Sequence, residues 1–274
     1  ATTYIYTLSQ HDALPIWELL WLAPPGSPGH TRSIVGAMVP RAWRVGMGFK
    51  GIDRALVFAD GFCLDLSWAR SWTPSKPAPD GVLPLAALRG DLTRISAACH
   101  PFICAEGLGP ALSNPPGGGW PGAEEAVLTQ MARRPLTAVM EGCLAGDLAK
   151  VALAGRELIG LGPGLTPAGD DFLGGLFFAA WWLGATYPGA FIFDWRAVGD
   201  LLAWAGAHTN RISHALLVDL ARGEGPAPLH DLIGLFLAGR GADEIARTAQ
   251  SVAAIGHTSG GDLLAGVLTG MLLA

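Results

Sequence analysis

The chain has 274 residues, of which 50% are hydrophobic and 15% are charged, and its formal net charge is −5. This composition predicts a compact protein of one large or two modest domains. The mild acidity and the absence of any lysine- or arginine-rich run argue against a nucleic-acid partner. The longest apolar run, residues 172–185, is shorter than the roughly 20 residues of a membrane span, so we expect no membrane partner.

The four cysteines contain no CxxC pair. Cys99 and Cys104 in CHPFIC resemble a metal site only loosely, because no second pair of ligands follows. Free thiols in a reducing, cytoplasmic setting fit this pattern best.

The first 16 residues, ATTYIYTLSQHDALPI, resemble a translated sequencing adapter and depart from it at Tyr4 and Gln10. We therefore expect residues 1–16 to be an artefactual leader and exclude them from the interpretation of fold and site. The native start is then expected upstream of Trp17.

Short apolar runs separated by glycine and aspartate come next, and they predict strands. Asp60-Gly61 within FADGFCLDL predicts a hairpin turn. Residues 17–80 are therefore predicted to form a small β-rich domain, which ends in the proline-rich linker WTPSKPAPDG (72–81). The predicted strands lie in SIVGAMVP (33–40), AWRVGMGF (42–49), RALVFAD (54–60) and FCLDLS (62–67).

After the linker, apolar residues recur at helical spacing with few β-branched residues. Residues 81–274 are predicted to form a mostly helical domain, so the fold class is α+β: a small β-rich N-terminal domain followed by a mostly α-helical C-terminal domain. A loop rich in glycine and proline is expected at 108–122. The predicted helical segments are 82–104, 123–159, 170–185, 195–222, 228–238, 241–254 and 261–273.

Two glycine-rich bends in this helical domain resemble each other. The first bend, residues 160–171, and the second bend, residues 254–262, both run into apolar helices. They predict two similar loop-to-helix corners, with Thr166 capping one helix and Thr258 or Ser259 capping the other. The alignment pairs Thr166 with Thr258, Gly169 with Gly261, Asp170 with Asp262 and Gly174 with Gly266.

The loop glycines let a ligand approach the backbone, and the free N–H groups at a helix start offer an anion site. The acids Asp170, Asp171 and Asp262 would repel a phosphate. They fit three other roles: they could hold a divalent metal, accept hydrogen bonds from an amide-like substrate, or only cap tightly packed helices. Each aligned acid lies four residues before a glycine, so acid and glycine share a face that would let two helices approach closely.

Between the bends, AHTNRISHALLVDLARGEG (207–225) places polar side chains on an apolar helix. Thr209 and Ser213 share a face of that helix; the alternative is that their hydroxyls bond back to helix carbonyls. No nucleophile elbow supports a Ser–His–Asp hydrolase. His257, beside the second bend, is the better-placed imidazole.

The segments GLGPGLTPAGDDFLGGL, HTNRISHALLVDLARGE and IGHTSGGDLLAGVLTG, together with FCLDLSWARSWTP (62–74), resemble the AllH-like subunit of oxamate carbamoyltransferase. The resemblance implies a role in anaerobic purine (allantoin) degradation, where oxalurate and phosphate give oxamate and carbamoyl phosphate. It also implies other carbamoyltransferase subunits as partners and a small substrate bearing phosphate or carboxylate. Ala168 departs from the serine that is common in the family.

Carbamoyl transfer builds up negative charge on oxygen, which N–H groups at helix starts would stabilise. A carboxylate would orient the carbamoyl NH₂ group, and His257 would move a proton. We expect catalytic roles for Asp170, Asp171, Asp262 and His257, and substrate binding by Gly162, Gly164, Thr166, Gly169, Thr209, Ser213, Thr258, Ser259, Gly260 and Gly261.

Two other functions stay open at this stage. One is a non-catalytic assembly or regulatory subunit, whose glycines serve close packing. The other is a metal-dependent hydrolase of a small amide-like substrate that uses the aspartates. The sequence identifies no particular cofactor. A divalent metal stays open as one, because the aspartates could bind it.

Overall fold

The computed structural model describes residues 3–6, 19–23, 27–30, 33–35, 49–69, 72, 81–103, 107–109 and 127–274. The chain divides into two compact units, Ala1–Pro74 and Ser75–Ala274. The described strands all lie in the first unit and the described helices in the second, which confirms the α+β class.

The described residues of the first unit form two three-stranded sheets. In the first sheet, β2 pairs antiparallel with β1 and parallel with β3. In the second sheet, β4, β5 and β6 form an antiparallel meander. The strands are β1 (Thr3–Tyr6), β2 (Leu19–Ala23), β3 (Ser33–Val35), β4 (Phe49–Ile52), β5 (Ala55–Phe58) and β6 (Cys63–Asp65).

The predicted hairpin at Asp60-Gly61 is confirmed. The Gly61 N–H donates to the Phe58 carbonyl at 2.9 Å, and Gly61 has a φ of 86°. Strand β4 was not predicted; it joins β5 through a turn in which Asp53 has a φ of 51°. Strand β1 lies within the 16 residues that we attribute to the adapter. The predicted strand at 42–49, apart from Phe49, and most of the predicted linker and of the loop 108–122 lie outside the described residues.

The described part of the second unit contains nine α-helices and two short 3₁₀ turns, His100–Phe102 and Met271–Leu273. In that part of the chain, no helix combines the length and hydropathy of a membrane span. The helices are α1 (Leu85–Cys99), α2 (Val127–Leu144), α3 (Leu148–Gly155), α4 (Ala168–Thr186), α5 (Trp195–His208), α6 (Arg211–Ala221), α7 (Ala227–Leu237), α8 (Ala242–Ala253) and α9 (Ser259–Gly270).

Two segments predicted as continuous helices, 123–159 and 195–222, are each broken in two. Gly146, with a φ of 66°, follows α2, and the Asp147 carboxylate caps α3 by accepting from the Lys150 N–H at 2.9 Å. In the second segment the Asn210 side chain accepts from the N–H groups of Ile212 and Ser213 and so begins α6. Side-chain caps of this kind end one helix and start the next within an unbroken apolar pattern.

Helix α4 forms the centre of the second unit and packs against α9 and α6. Its core side chains Phe172, Phe177 and Phe178 are fully buried. Helices α4 and α9 approach closely because glycines line their contact: a β carbon added at Gly175 would lie 2.1 Å from the Leu263 carbonyl oxygen. A β carbon at Gly266 would lie 1.9 Å from the Phe172 carbonyl oxygen. This contact sets the starts of α4 and α9, and therefore the two bends, next to each other.

The glycine of α4 that faces α9 differs from the predicted one. Gly174 faces α6, where an added β carbon would lie 2.5 Å from the Leu220 Cδ1 atom. Gly175, one residue later, meets α9 instead. The shared face of Asp170 and Gly174 is therefore turned towards α6, while Asp171 and Gly175 face α9.

Candidate functional site

The two bends are joined directly by a hydrogen bond. The hydroxyl oxygens of Thr166 and Ser259 lie 2.7 Å apart, and both side chains are half-buried. The prediction that Thr166 caps α4 is wrong, since Pro167 occupies that position and no side chain caps the helix. The Thr166 hydroxyl instead connects the first bend to the start of α9.

Asp170 is 2% exposed and is saturated with hydrogen bonds. Its Oδ1 atom accepts from the Gly160 N–H at 2.8 Å. Its Oδ2 atom accepts from the Ser213 hydroxyl at 2.6 Å and from the Thr209 hydroxyl. The hydroxyls of Thr209 and Ser213 therefore donate to Asp170, and not to helix carbonyls as in the alternative prediction. Asp170 ties the first bend to the corner between α5 and α6.

Three glycines of the first bend are required by close contacts. A β carbon would lie 2.4 Å from the His208 carbonyl oxygen at Gly160, 2.8 Å from the Ala168 nitrogen at Gly162, and 1.9 Å from the Leu158 carbonyl oxygen at Gly169. The backbone conformation is a second reason for glycine at Gly160 and Gly162, which have φ values of 74° and 118°. These positions serve the packing of the bend.

Gly164 differs from the other glycines of the bend. Its φ is 101°, yet an added β carbon would meet no atom closer than 4.0 Å. Gly164 is exposed, as is Leu165, whose carbonyl accepts from the Asn210 side chain at 2.7 Å. The tip of the bend thus presents backbone to the surface while its base is held by packing.

Asp262 is fully buried and holds a third loop, residues 107–109. Its Oδ1 atom accepts from the Leu108 N–H at 2.6 Å. Gly107 has a φ of 81°, and a β carbon there would lie 2.5 Å from the same carboxyl oxygen. Burial raises the pKa of Asp262 to about 7, against the hydrogen bonds from the backbone of Leu108 and Gly109, which lower it.

Asp171 is 7% exposed. Burial raises its pKa well above the ordinary value, the neighbouring hydroxyls of Ser259 and Thr166 lower it, and the charges of Asp262 and Asp170 raise it. The Oδ2 atoms of Asp171 and Asp262 have no hydrogen-bond partner in the described part of the chain. Three buried carboxyl groups therefore lie beneath the two bends.

The second bend packs against the end of α8 on one side and is exposed on the other. Its Gly260 N–H donates to the Ile255 carbonyl at 2.9 Å, and a β carbon at Gly260 would lie 2.1 Å from the Val252 carbonyl oxygen. Gly261 is buried as well. Thr258 precedes α9 but makes no capping hydrogen bond through its side chain, and His257 is exposed. Thr258 therefore occupies the cap position of α9, as predicted, but its side chain does not supply the expected hydrogen bond.

The sequence does not predict a stack of three side chains that lies beside the first bend. The Arg156 guanidinium lies 5.6 Å from the centroid of the Trp204 ring, and the His208 ring stacks on Trp204 at 3.6 Å. The carbonyl of His208 contacts Gly160, so the stack adjoins the bend. The spacing of Trp204 and His208 is a helical signal, but Arg156 joins them only through the packing of α3 on α5.

Within the described ranges, no group of three or more His, Cys, Asp or Glu side chains is arranged to hold a metal ion. The carboxyl groups beneath the bends instead contact hydroxyls and backbone N–H groups. Their described contacts are those of a hydrogen-bonded scaffold for the surrounding loops.

Comparison with known families identifies the same region of the chain. Residues 158–271 match the family described as oxamate carbamoyltransferase subunit AllH. The matched segment contains both bends and helices α4 to α9, and the match confirms the resemblance inferred from the sequence. No solved structure matches the chain.

Proposed function

We propose that this chain is a subunit of a cytoplasmic carbamoyltransferase that interconverts oxalurate and oxamate, with phosphate and carbamoyl phosphate, in purine (allantoin) degradation. The observation that carries the proposal is the hydrogen bond between Thr166 and Ser259. It unites the two bends at opposite ends of the matched segment, 158–271, into one surface.

In this reaction a phosphate oxygen attacks the carbamoyl carbon of oxalurate, and the bond from that carbon to the oxamate nitrogen breaks. Negative charge develops on the carbamoyl oxygen, which preorganised N–H groups stabilise. The exposed backbone around Gly164 is where we place this contact. Thr166, Ser259 and Thr258 supply hydroxyls to the substrate, and His257 supplies an imidazole that exchanges protons with solvent.

The buried residues take positioning roles in this scheme. Asp170 fixes the first bend against Thr209 and Ser213, and Asp262 fixes the loop 107–109. Gly162, Gly169, Gly260 and Gly261 allow the chain to pack closely enough for these contacts.

The substrates are anions, and the buried acids would repel them. Arg156 offers the compensating charge. Its guanidinium is stacked on Trp204 beside the bend and forms no ion pair with a described residue. A guanidinium held in this way binds a carboxylate through two parallel N–H groups. We assign the oxalurate carboxylate to Arg156.

Other carbamoyltransferase subunits are the proposed protein partners. Ile192 is 82% exposed, Leu153 67% and Trp195 51%. Large exposed apolar side chains of this kind fit burial by a partner. In this arrangement the catalytic complex, rather than the single chain, is the functional unit.

A second candidate is a non-catalytic assembly subunit. It is favoured by the burial of Asp170, Asp171 and Asp262 and by the backbone contacts of the glycines. In that case the bends would serve only to pack α4 against α9, and phosphate and carbamoyl phosphate would bind to the partners alone.

The test is reconstitution of the complete chain with its partner subunits, with carbamoyl phosphate formation from oxalurate and phosphate as the readout. Arg156→Gln is expected to raise KM for oxalurate about tenfold or more, because a charged hydrogen-bonded pair is lost. Arg134→Gln is the matched control, since Arg134 is exposed and pairs with Glu157. Full activity of the partners without this chain would support the second candidate, and equal KM values for the two variants would contradict the role of Arg156.

A further inference from the structure

We propose that Asp171 is held as a neutral carboxylic acid beneath the hydroxyl pair Thr166–Ser259, and that its proton reaches the leaving nitrogen of the substrate through one of these hydroxyls. The identity of the leaving group rests on the proposed function. The protonation state of Asp171 rests on the structure alone and is tested separately.

Two neighbouring aspartates of α4 have opposite surroundings. Asp170 accepts three hydrogen bonds, from Gly160, Thr209 and Ser213, so both of its buried carboxyl oxygens have partners. Asp171 is more than nine-tenths buried, and its Oδ2 atom has no partner in the described part of the chain. A buried carboxylate with an unpaired oxygen is costly, whereas a carboxylic acid carries less charge to desolvate.

The charges around Asp171 favour the same form. Asp170 faces it from α4 and Asp262 faces it from α9, and both are acidic. Like charges close together in a buried site cannot all ionise at neutral pH. Burial accordingly raises the pKa of Asp171 well above its ordinary value.

The hydroxyl pair gives the proton a route to the surface. Thr166 and Ser259 lie beside the Asp171 carboxyl, are half-buried, and have their oxygens 2.7 Å apart. A hydroxyl both donates and accepts. It can therefore take the proton of Asp171 while giving its own proton to a group outside. This makes the hydroxyl the group in contact with substrate and Asp171 a positioning residue that acts through it.

The proposed proton transfer accompanies cleavage of the carbon–nitrogen bond of oxalurate. A phosphate oxygen forms a bond with the carbamoyl carbon, the carbon–nitrogen bond breaks, and its electron pair goes to the nitrogen of oxamate. That nitrogen takes the hydroxyl proton, and the hydroxyl takes the proton of Asp171, which becomes a carboxylate. The proton that the attacking hydrogen phosphate gives up passes to solvent, and Asp171 regains a proton through the same hydroxyl after oxamate leaves.

The protonation state is tested by carbon-13 NMR of the complete chain with labelled aspartate carboxyl groups. The Asp171 resonance is assigned by its loss in Asp171→Asn. At about pH 7 we expect it to have the chemical shift of a carboxylic acid. A carboxylate shift for Asp171 at this pH would overturn the proposal, whatever the substrate is.

The relay is tested in the reconstituted complex with two carbamoyl donors. With oxalurate, Asp171→Asn is expected to lower kcat by about 10²- to 10³-fold, the usual contribution of proton transfer, with little change in KM. With 4-nitrophenyl carbamate, whose leaving group is stable as an anion, the loss should fall to a few-fold. A structural role would lower both rates equally, and that result would overturn the relay.

Variants of the hydroxyl pair separate the relay from misfolding. The double variant Ser259→Ala with Thr166→Val should show the same dependence on the carbamoyl donor as Asp171→Asn. Ser259→Thr keeps a hydroxyl at this position and should therefore retain most of the wild-type rate. Failure of the wild-type complex to act on oxalurate, with Asp171 protonated by NMR, would refute the proposed substrate and leave the neutral acid standing. Equal rates for the double variant and the wild type would refute the relay itself.

Discussion

The α carbon of Gly266 in α9 leaves no room for a side chain, because an added β carbon would lie 1.9 Å from the Phe172 carbonyl oxygen in α4. A contact of this kind cannot be relieved by rotation of a flexible side chain, since the opposing atom belongs to the backbone. The two helices must separate to accept even alanine.

We therefore expect Gly266→Ala to lower the free energy of unfolding by about 2–4 kcal/mol, as overpacked core positions do. Urea unfolding followed by circular dichroism measures the effect. The control is Gly199→Ala in α5, where an added β carbon meets no atom within 4 Å. There alanine should stabilise the protein by about 0.5–1 kcal/mol through its helix propensity. Similar effects at the two glycines would contradict the contact.

Asp170→Asn is expected to destabilise the second unit by about 2–3 kcal/mol, because an amide NH₂ group cannot accept the hydroxyl protons that the carboxylate accepts. Ser213→Ala removes one of these donors and should cost less, about 1–2 kcal/mol. Thermal unfolding gives both values.

Asp200 provides the control for Asp170, since it is an exposed aspartate on α5. Asp200→Asn should change the stability by no more than about 0.5 kcal/mol. An equal loss of stability in Asp170→Asn and Asp200→Asn would show that the hydrogen bonds of Asp170 contribute nothing specific.

The raised pKa of Asp262 predicts a pH dependence of stability. In the folded chain its pKa is about 7, against an ordinary 3.8, so between these values the folded state binds more protons than the unfolded state. The stabilisation that comes with the protonated carboxyl is complete below about pH 4 and is lost as the pH rises through about 7.

Asp262→Asn removes the titrating carboxyl, so the difference between wild type and variant contains this contribution together with the effect of Asp262 on Asp171. The unfolding free energy of the wild type minus that of the variant should fall by a few kcal/mol between about pH 4 and pH 7 and stay level above it. Denaturant unfolding of both proteins across this range measures the difference. A difference that rises with pH would mean that Asp262 is ionised in the fold.

The cysteines are expected to differ in reactivity. Cys99 and Cys143 are buried, and desolvation raises the pKa of each thiol to about 12, whereas Cys63 is exposed. Since the thiolate is the reactive form, an alkylating reagent at about pH 8 should modify Cys63 in the native protein within minutes. Cys99 and Cys143 should react only after unfolding. Peptide mass mapping reads the sites, and early labelling of Cys143 would show that its helix opens readily.

The sequence predicts the helices of the second unit and the association of the two bends, because both rest on local patterns. The apolar run after residue 171 gives α4, and the repeated Thr-x-x-Gly-Asp pattern marks both helix starts. The hydrogen bond between Thr166 and Ser259 agrees with the expectation that the two starts meet. The break at Asn210 was missed because a polar cap of one residue does not interrupt the apolar period of the flanking helices.

The orientation of α4 could not be predicted from local pattern. Adjacent residues of a helix point about 100° apart, so whether Asp170 or Asp171 faces α9 depends on partners far away in sequence. Leu220 and Leu263 decide this by packing on Gly174 and Gly175. The stack of Arg156 on Trp204 depends likewise on the packing of two helices, and no single segment carries its signal.

The glycine contacts between α4 and α9 constrain how this surface can diversify. Because the helices touch along their backbones, a substitution at Gly175 or Gly266 shifts both bends together and cannot retune one of them. Under the proposed function, we expect ligand preference to change through the solvent-facing tip around Gly164, through His257 and through Arg156, and not through the contact between the helices. We therefore expect substitutions at those positions to alter selectivity while the packing of α4 on α9 stays intact.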